Sequence, residues 1–138
     1  MTWYSLSAYF SYRRKALTRH GVHSPFVFNF IEQVLRVRPG GTFREQLAQY
    51  FGAEHVIWID DPGATEWEQV YLHATGRRTE HSVIVFTGIY KTAFHTEVWR
   101  SLYGRSEVRL SMDLYRYGLL FFRDELREKQ HFILRYPA

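Results

Sequence analysis

The run Val83-Ile84-Val85-Phe86 sets four apolar side chains in succession between Ser82 and Thr87. Successive side chains of a strand point to opposite faces, so such a strand must be covered on both. A chain containing it needs helices packed on each side of a sheet. His55–Ile59 is a second short apolar strand, and the segment joining the two has helical character. The sequence therefore predicts a β-α-β unit with Ser82–Phe86 as a central parallel strand.

The flanking segments extend this reading. Thr42 with Glu45 forms a capping box for a helix through Phe51, ended by Gly52. Thr65 with Glu68 has the same spacing and predicts a helix through about Thr75, ended by Gly76. Ser24 caps a helix whose first position is Pro25, and Val27, Ile31, Val34 and Leu35 form its buried stripe. Upstream, Trp3, Leu6, Phe10 and Leu17 fall near one helical face, with Gly21 as the stop. A helix from about Thr92 to Tyr103 is expected to bury Phe94, Val98 and Leu102. Beyond Gly104, Val108, Leu110, Met112 and Leu114 alternate with polar residues, the signature of a half-buried strand. GLLFFR and HFILRY, separated by the charged turn DELREK, complete an antiparallel meander. The order predicts one α/β domain over 1–138 with a mixed sheet, built from a helical arm (1–38) and an α/β core (42–138).

Composition narrows the chemistry. Among 138 residues there is no cysteine, which removes disulfides and thiolate metal sites and fits a cytoplasmic location. The first residues lack a signal-peptide pattern, and no apolar run approaches the roughly 20 residues that span a bilayer. A net charge of +4 is mild, with the excess in Arg13, Arg14, Lys15, Arg19, Arg36 and Arg38. Tyr4, Tyr9, Tyr12, Arg13 and Arg14 come nearest to a base-stacking or anionic-lipid surface. Most aromatics fall at expected core positions, which argues against nucleic-acid or membrane-surface binding. His20 and His23 flank a glycine with no third ligand nearby, so packing around the turn is the better account of them than a metal. His131, beside Phe132 in an expected strand, reads as a packed histidine. No serine nucleophile elbow, P-loop, EF-hand or zinc-finger spacing occurs.

RHGVHSPFVFNFIEQVL resembles the amino-terminal signature, HG-(V/I)-HSPF, of a bacterial group of class I S-adenosylmethionine-dependent methyltransferases. The segment from EHSVIVF to KQHFILRY is similar to their carboxy-terminal third, whose fifth strand reads like SVIVIDDIH. The resemblance implies a Rossmann-like seven-stranded sheet in the order 3-2-1-4-5-7-6. Cofactor would bind at the carboxyl ends of the first two strands, beside a glycine-rich turn. It also implies that this chain is a truncated form lacking much of the middle. HVIWIDDPGATEW admits two alignments, with the family's first strand or with its fourth. Under the first, the glycine-rich turn has become DDPGAT; under the second, the cofactor-binding half is missing. Where relatives carry two acidic residues after SVIV, this chain has Phe86-Thr87-Gly88.

Asp60, Asp61, Gly63 and Thr87 are the candidate cofactor-contacting residues, and no catalytic residue or metal ligand is assigned. Adjacent carboxylates on a strand point apart, so Asp60 and Asp61 suit turn formation at Pro62-Gly63 better than joint acid–base work. The resulting expectation is a pseudoenzyme without bound cofactor, acting through protein contacts. An open strand edge beside HVIWI would pair with a second copy or with another protein. Two alternatives stand beside it. One is an S-adenosylmethionine-dependent methyltransferase or cofactor binder, its site rebuilt in an oligomer. The other is nucleic-acid or membrane-surface binding through the basic arm.

Overall fold

The computed structural model describes residues 2–37, 41–60 and 63–137. It is an α/β protein whose strands β1 (Val56–Ile59), β2 (Val83–Thr87), β3 (Leu110–Asp113), β4 (Tyr117–Phe121) and β5 (Gln130–Ile133) form one mixed sheet, in the order β1-β2-β4-β3-β5. The helices are α1 (Trp3–Lys15), α2 (Pro25–Phe30, widening into a π turn over Ile31–Leu35), α3 (Phe43–Phe51), α4 (Ala64–Thr75) and α5 (Ala93–Tyr103). No helix among the described residues is long and apolar enough to cross a membrane.

β2 lies as its sequence requires, parallel to β1 on one side and antiparallel to β4 on the other. Val83, Ile84, Val85 and Phe86 are all fully buried. Val83 and Val85 join a core with Val27, Phe30, Ile31, Val34 and Leu35 of α2 and its extension and with Leu47 of α3. Ile84 and Phe86 join the opposite core, with Trp67 and Tyr71 of α4 and Trp99 and Leu102 of α5. Burying each such side chain contributes roughly 1.5–3 kcal/mol. α2 of the arm is thus half of one helical layer, while α1 lies toward α5. Ser24 caps α2 through the Val27 N–H, and the Thr42–Glu45 box caps α3 as expected.

Five expectations need correction. The carboxy-terminal strands are no simple antiparallel meander: β3 and β4 form a hairpin, but β5 runs parallel to β3. Both edges of β4 are taken by β2 and β3, so the last strand has only the free edge of β3 left to join. Leu17 then extends that side, donating to the Ile133 carbonyl at 2.8 Å and accepting from the Arg135 N–H at 2.9 Å. β3 is buried on both faces, Ser111 and Asp113 included. Thr65 does not cap α4; Gly63 does, at φ 108°, a conformation open chiefly to glycine.

The remaining corrections concern helix faces. On α1 the expected apolar face is outward, with Trp3 86% and Phe10 61% exposed, while Tyr12 is buried. Hydrogen bonds orient this helix. The Tyr12 hydroxyl donates to the Leu134 carbonyl at 2.5 Å and accepts from the Tyr136 N–H at 2.8 Å. Tyr4 donates to Thr96 Oγ1 at 2.6 Å, and Tyr115 donates to the Ser5 carbonyl at 2.8 Å. On α5 the buried residues are His95, Thr96, Trp99 and Leu102, with Phe94 turned out. Trp99 sets that rotation, because its indole fills the space above Gly118.

A β-carbon at Gly118 would lie 2.5 Å from the Trp99 ring, well inside contact distance. Gly118→Ala is therefore expected to destabilise the fold by about 1–3 kcal/mol through overpacking. Urea denaturation followed by fluorescence would read this directly, and an unchanged midpoint would contradict the packing described.

Candidate functional site

Ile59 of β1 and Phe86 of β2 are register partners, so Asp60 and Thr87 follow them at the carboxyl ends of adjacent parallel strands. This is the end of an α/β sheet where ligands usually sit. Asp60 is committed elsewhere: both its carboxylate oxygens accept from Arg44 Nη2, at 2.8 and 2.9 Å. The same guanidinium lies 4.2 Å from the centre of the Trp58 ring. Gly63 opens α4 just beyond, and Thr87 is half-buried opposite Tyr117 of β4. Asp61 and Pro62 lie outside the described residues. Among the described residues, no group of three or more His, Asp or Glu is placed to hold a metal.

A better-formed site lies farther along the same end of the sheet, beneath α1. A cleft of about 300 Å³ is lined by Tyr12 and Lys15 of α1, Arg100 and Tyr103 of α5, Asp113 of β3 and His131 of β5, among others. Ser111 and Asp113 alternate with Leu110 and Met112, which pack into the α2–α3 core, so the two polar residues share the α5 side of the sheet. In the register, Ser111 faces His131 and Asp113 faces Ile133.

The polar groups of this floor are tied down. Asp113, 1% exposed, accepts a short hydrogen bond from the Tyr90 hydroxyl and another from the Tyr115 N–H at 2.8 Å. Tyr115 holds a left-handed backbone at φ 69°, with its ring stacked on Tyr90 at 5.3 Å. Such a conformation costs on the order of 1–3 kcal/mol, offset here by the ring packing and the two hydrogen bonds. Ser111 Oγ lies 2.6 Å from His131 Nδ1, and the imidazole stacks on Tyr103 with ring centres 4.0 Å apart.

Electrostatics divide the two titratable groups. Burial pushes the Asp113 carboxyl up to about 6, against the hydrogen bonds from Tyr90 and Tyr115 and the charges of Arg100 and Lys15. Burial pushes His131 down to about 4, helped by Arg100 and Lys129. His131 is exposed on its outer side, and its ring packs face to face with Tyr103. Opposed shifts in one cleft are the pattern of a functional site. Sequence reasoning missed Ser111 and Asp113 by assigning them to the solvent side of a half-buried strand. The signal was their alternation with Leu110 and Met112, which a cleft floor produces as readily as solvent does. His131 stacks on Tyr103 but is exposed, and it lines the cleft.

Comparison with known proteins finds no matching family model, no matching curated protein and no matching solved structure.

The two shifts act oppositely on stability. The stabilisation from Asp113 is present below its unfolded value near 3.8 and lost as pH rises through about 6. That from His131 is present above its unfolded value near 6.5 and lost as pH falls through about 4. Relative to the wild type, Asp113→Asn should make the slope of stability against pH more positive, and His131→Gln should make it more negative. Denaturation series from pH 4 to 6.5 on the wild type and both variants test this, and slope changes of the same sign would refute the assignment.

Proposed function

We propose that this chain is a shortened methyltransferase-like protein without catalytic activity, and that it works by pairing with a second copy of itself along the outer edge of β1. The strand order supports the family reading: β1-β2-β4-β3 runs as strands 4-5-7-6 of the family sheet would run. That correspondence favours taking Val56–Ile59 as the fourth strand, with the glycine-rich cofactor half missing. Under that alignment Asp60 ends the fourth strand and not a cofactor strand, and it pairs with Arg44 at the surface.

The open edge carries the partner reading. β1 ends the sheet, and Val56, Ile57 and Trp58 are only half-buried, whereas the equally apolar β2 is sealed. An apolar edge strand offers unpaired N–H and C=O groups to another strand. Two such edges related by a two-fold axis would continue the sheet from one protomer into the next.

Sedimentation velocity should find a dimer. A wild-type monomer at high concentration would refute the pairing. Calorimetric titration with S-adenosylhomocysteine should give no heat, and saturable binding would overturn the reading of a lost cofactor site.

A further inference from the structure

The cleft beneath α1 carries two cations that no ion pair of the fold consumes. Lys15 and Arg100 stand at its mouth, both exposed, and neither forms an ion pair with any described residue. The acid that lines the cleft, Asp113, is buried and already holds Tyr90 and the Tyr115 N–H. The Tyr4 and Tyr12 hydroxyls are likewise spent, on Thr96 and on the Leu134 carbonyl. His131 adds an imidazole. The only partner of the buried Ser111 hydroxyl is His131 Nδ1. Where the hydroxyl donates to that nitrogen, the neutral ring carries its hydrogen on Nε2, which has no partner among the described residues.

The walls are aromatic, with Tyr4, Tyr90, Trp99 and Tyr103 all lining the cleft. Trp99 is 1% exposed, and its indole N–H is buried with no hydrogen-bond acceptor. Buried N–H groups without a partner are uncommon and ask for an explanation. The volume, about 300 Å³, is at the small end of what organic ligands occupy. Two cations outside any ion pair, one of them also hydrogen-bonded to Tyr103, an imidazole and ring-faced walls suit an acceptor-rich anion at one end and a flat apolar body at the other.

We propose that this cleft is a binding site for a small aromatic carboxylate, its carboxylate held by Lys15 and Arg100 and its ring lying among the tyrosines and Trp99. The site is built within one chain and does not depend on the pairing of β1 edges.

Titrations of the whole protein with benzoate and 4-hydroxybenzoate, followed by calorimetry and by the NMR signal of the Trp99 indole N–H, test the proposal. Acetate and inorganic phosphate serve as ringless anions. The expected result is saturable one-to-one binding of an aromatic carboxylate that moves the Trp99 signal and weakens as salt is added. Lys15→Gln and Arg100→Gln, both at exposed positions, should each weaken it about tenfold, the loss of one charge-assisted hydrogen bond. No saturable binding of either ring compound by folded protein would overturn the proposal. So would affinity unchanged in both variants, or acetate or phosphate binding as tightly as benzoate.

Discussion

The structure depends on the burial of β2 on both faces. Four consecutive apolar side chains cannot be sealed by one layer, so helices must gather on each side of the sheet. α2 and α3 answer Val83 and Val85, and α4 and α5 answer Ile84 and Phe86. The amino-terminal arm is thereby drawn into the core, although it lies far from β2 in sequence. β1 pays for the same arrangement: with only one neighbour in the sheet, its apolar side chains remain half-buried.

Polar groups at the carboxyl end of the sheet organise the rest. Between β3, β5 and α5, the apolar face gives way to Ser111, Asp113 and His131, and α1 is laid over them by the hydrogen bonds of its tyrosines. The buried Asp113 is stabilised by donors from the segment after β2 and from the β3–β4 turn, which ties both to one point. Gly118, beside Asp113 in the register, leaves room for Trp99 to approach. The same residues that close the fold also leave a cleft whose two cations form no ion pair among the described residues. Structure and chemistry meet there, rather than at the acidic turn after β1.

That turn shows how a local pattern can mislead. Asp60 follows a strand and precedes a helix, as a ligand-binding carboxylate often does. Arg44, sixteen positions earlier, reaches it from the start of α3 and turns it into a surface ion pair. Such exposed pairs contribute little to stability.

The sequence by itself determined the α/β class, the central place of β2, and the starts of α2 and α3, because these rest on local periodicity and capping. Val27, Ile31, Val34 and Leu35 are buried as their spacing requires. Hydropathy could not decide the face of α1, because both sides carry aromatics and hydrogen bonds to distant partners chose between them. Nor could it orient β5, whose direction followed from which edges were already paired. Ser111, Asp113 and His131 were legible as polar residues in strands. That they share one cleft with Lys15 and Arg100 was decided by tertiary structure alone, since strand register and the docking of α1 bring together residues nearly a whole chain apart.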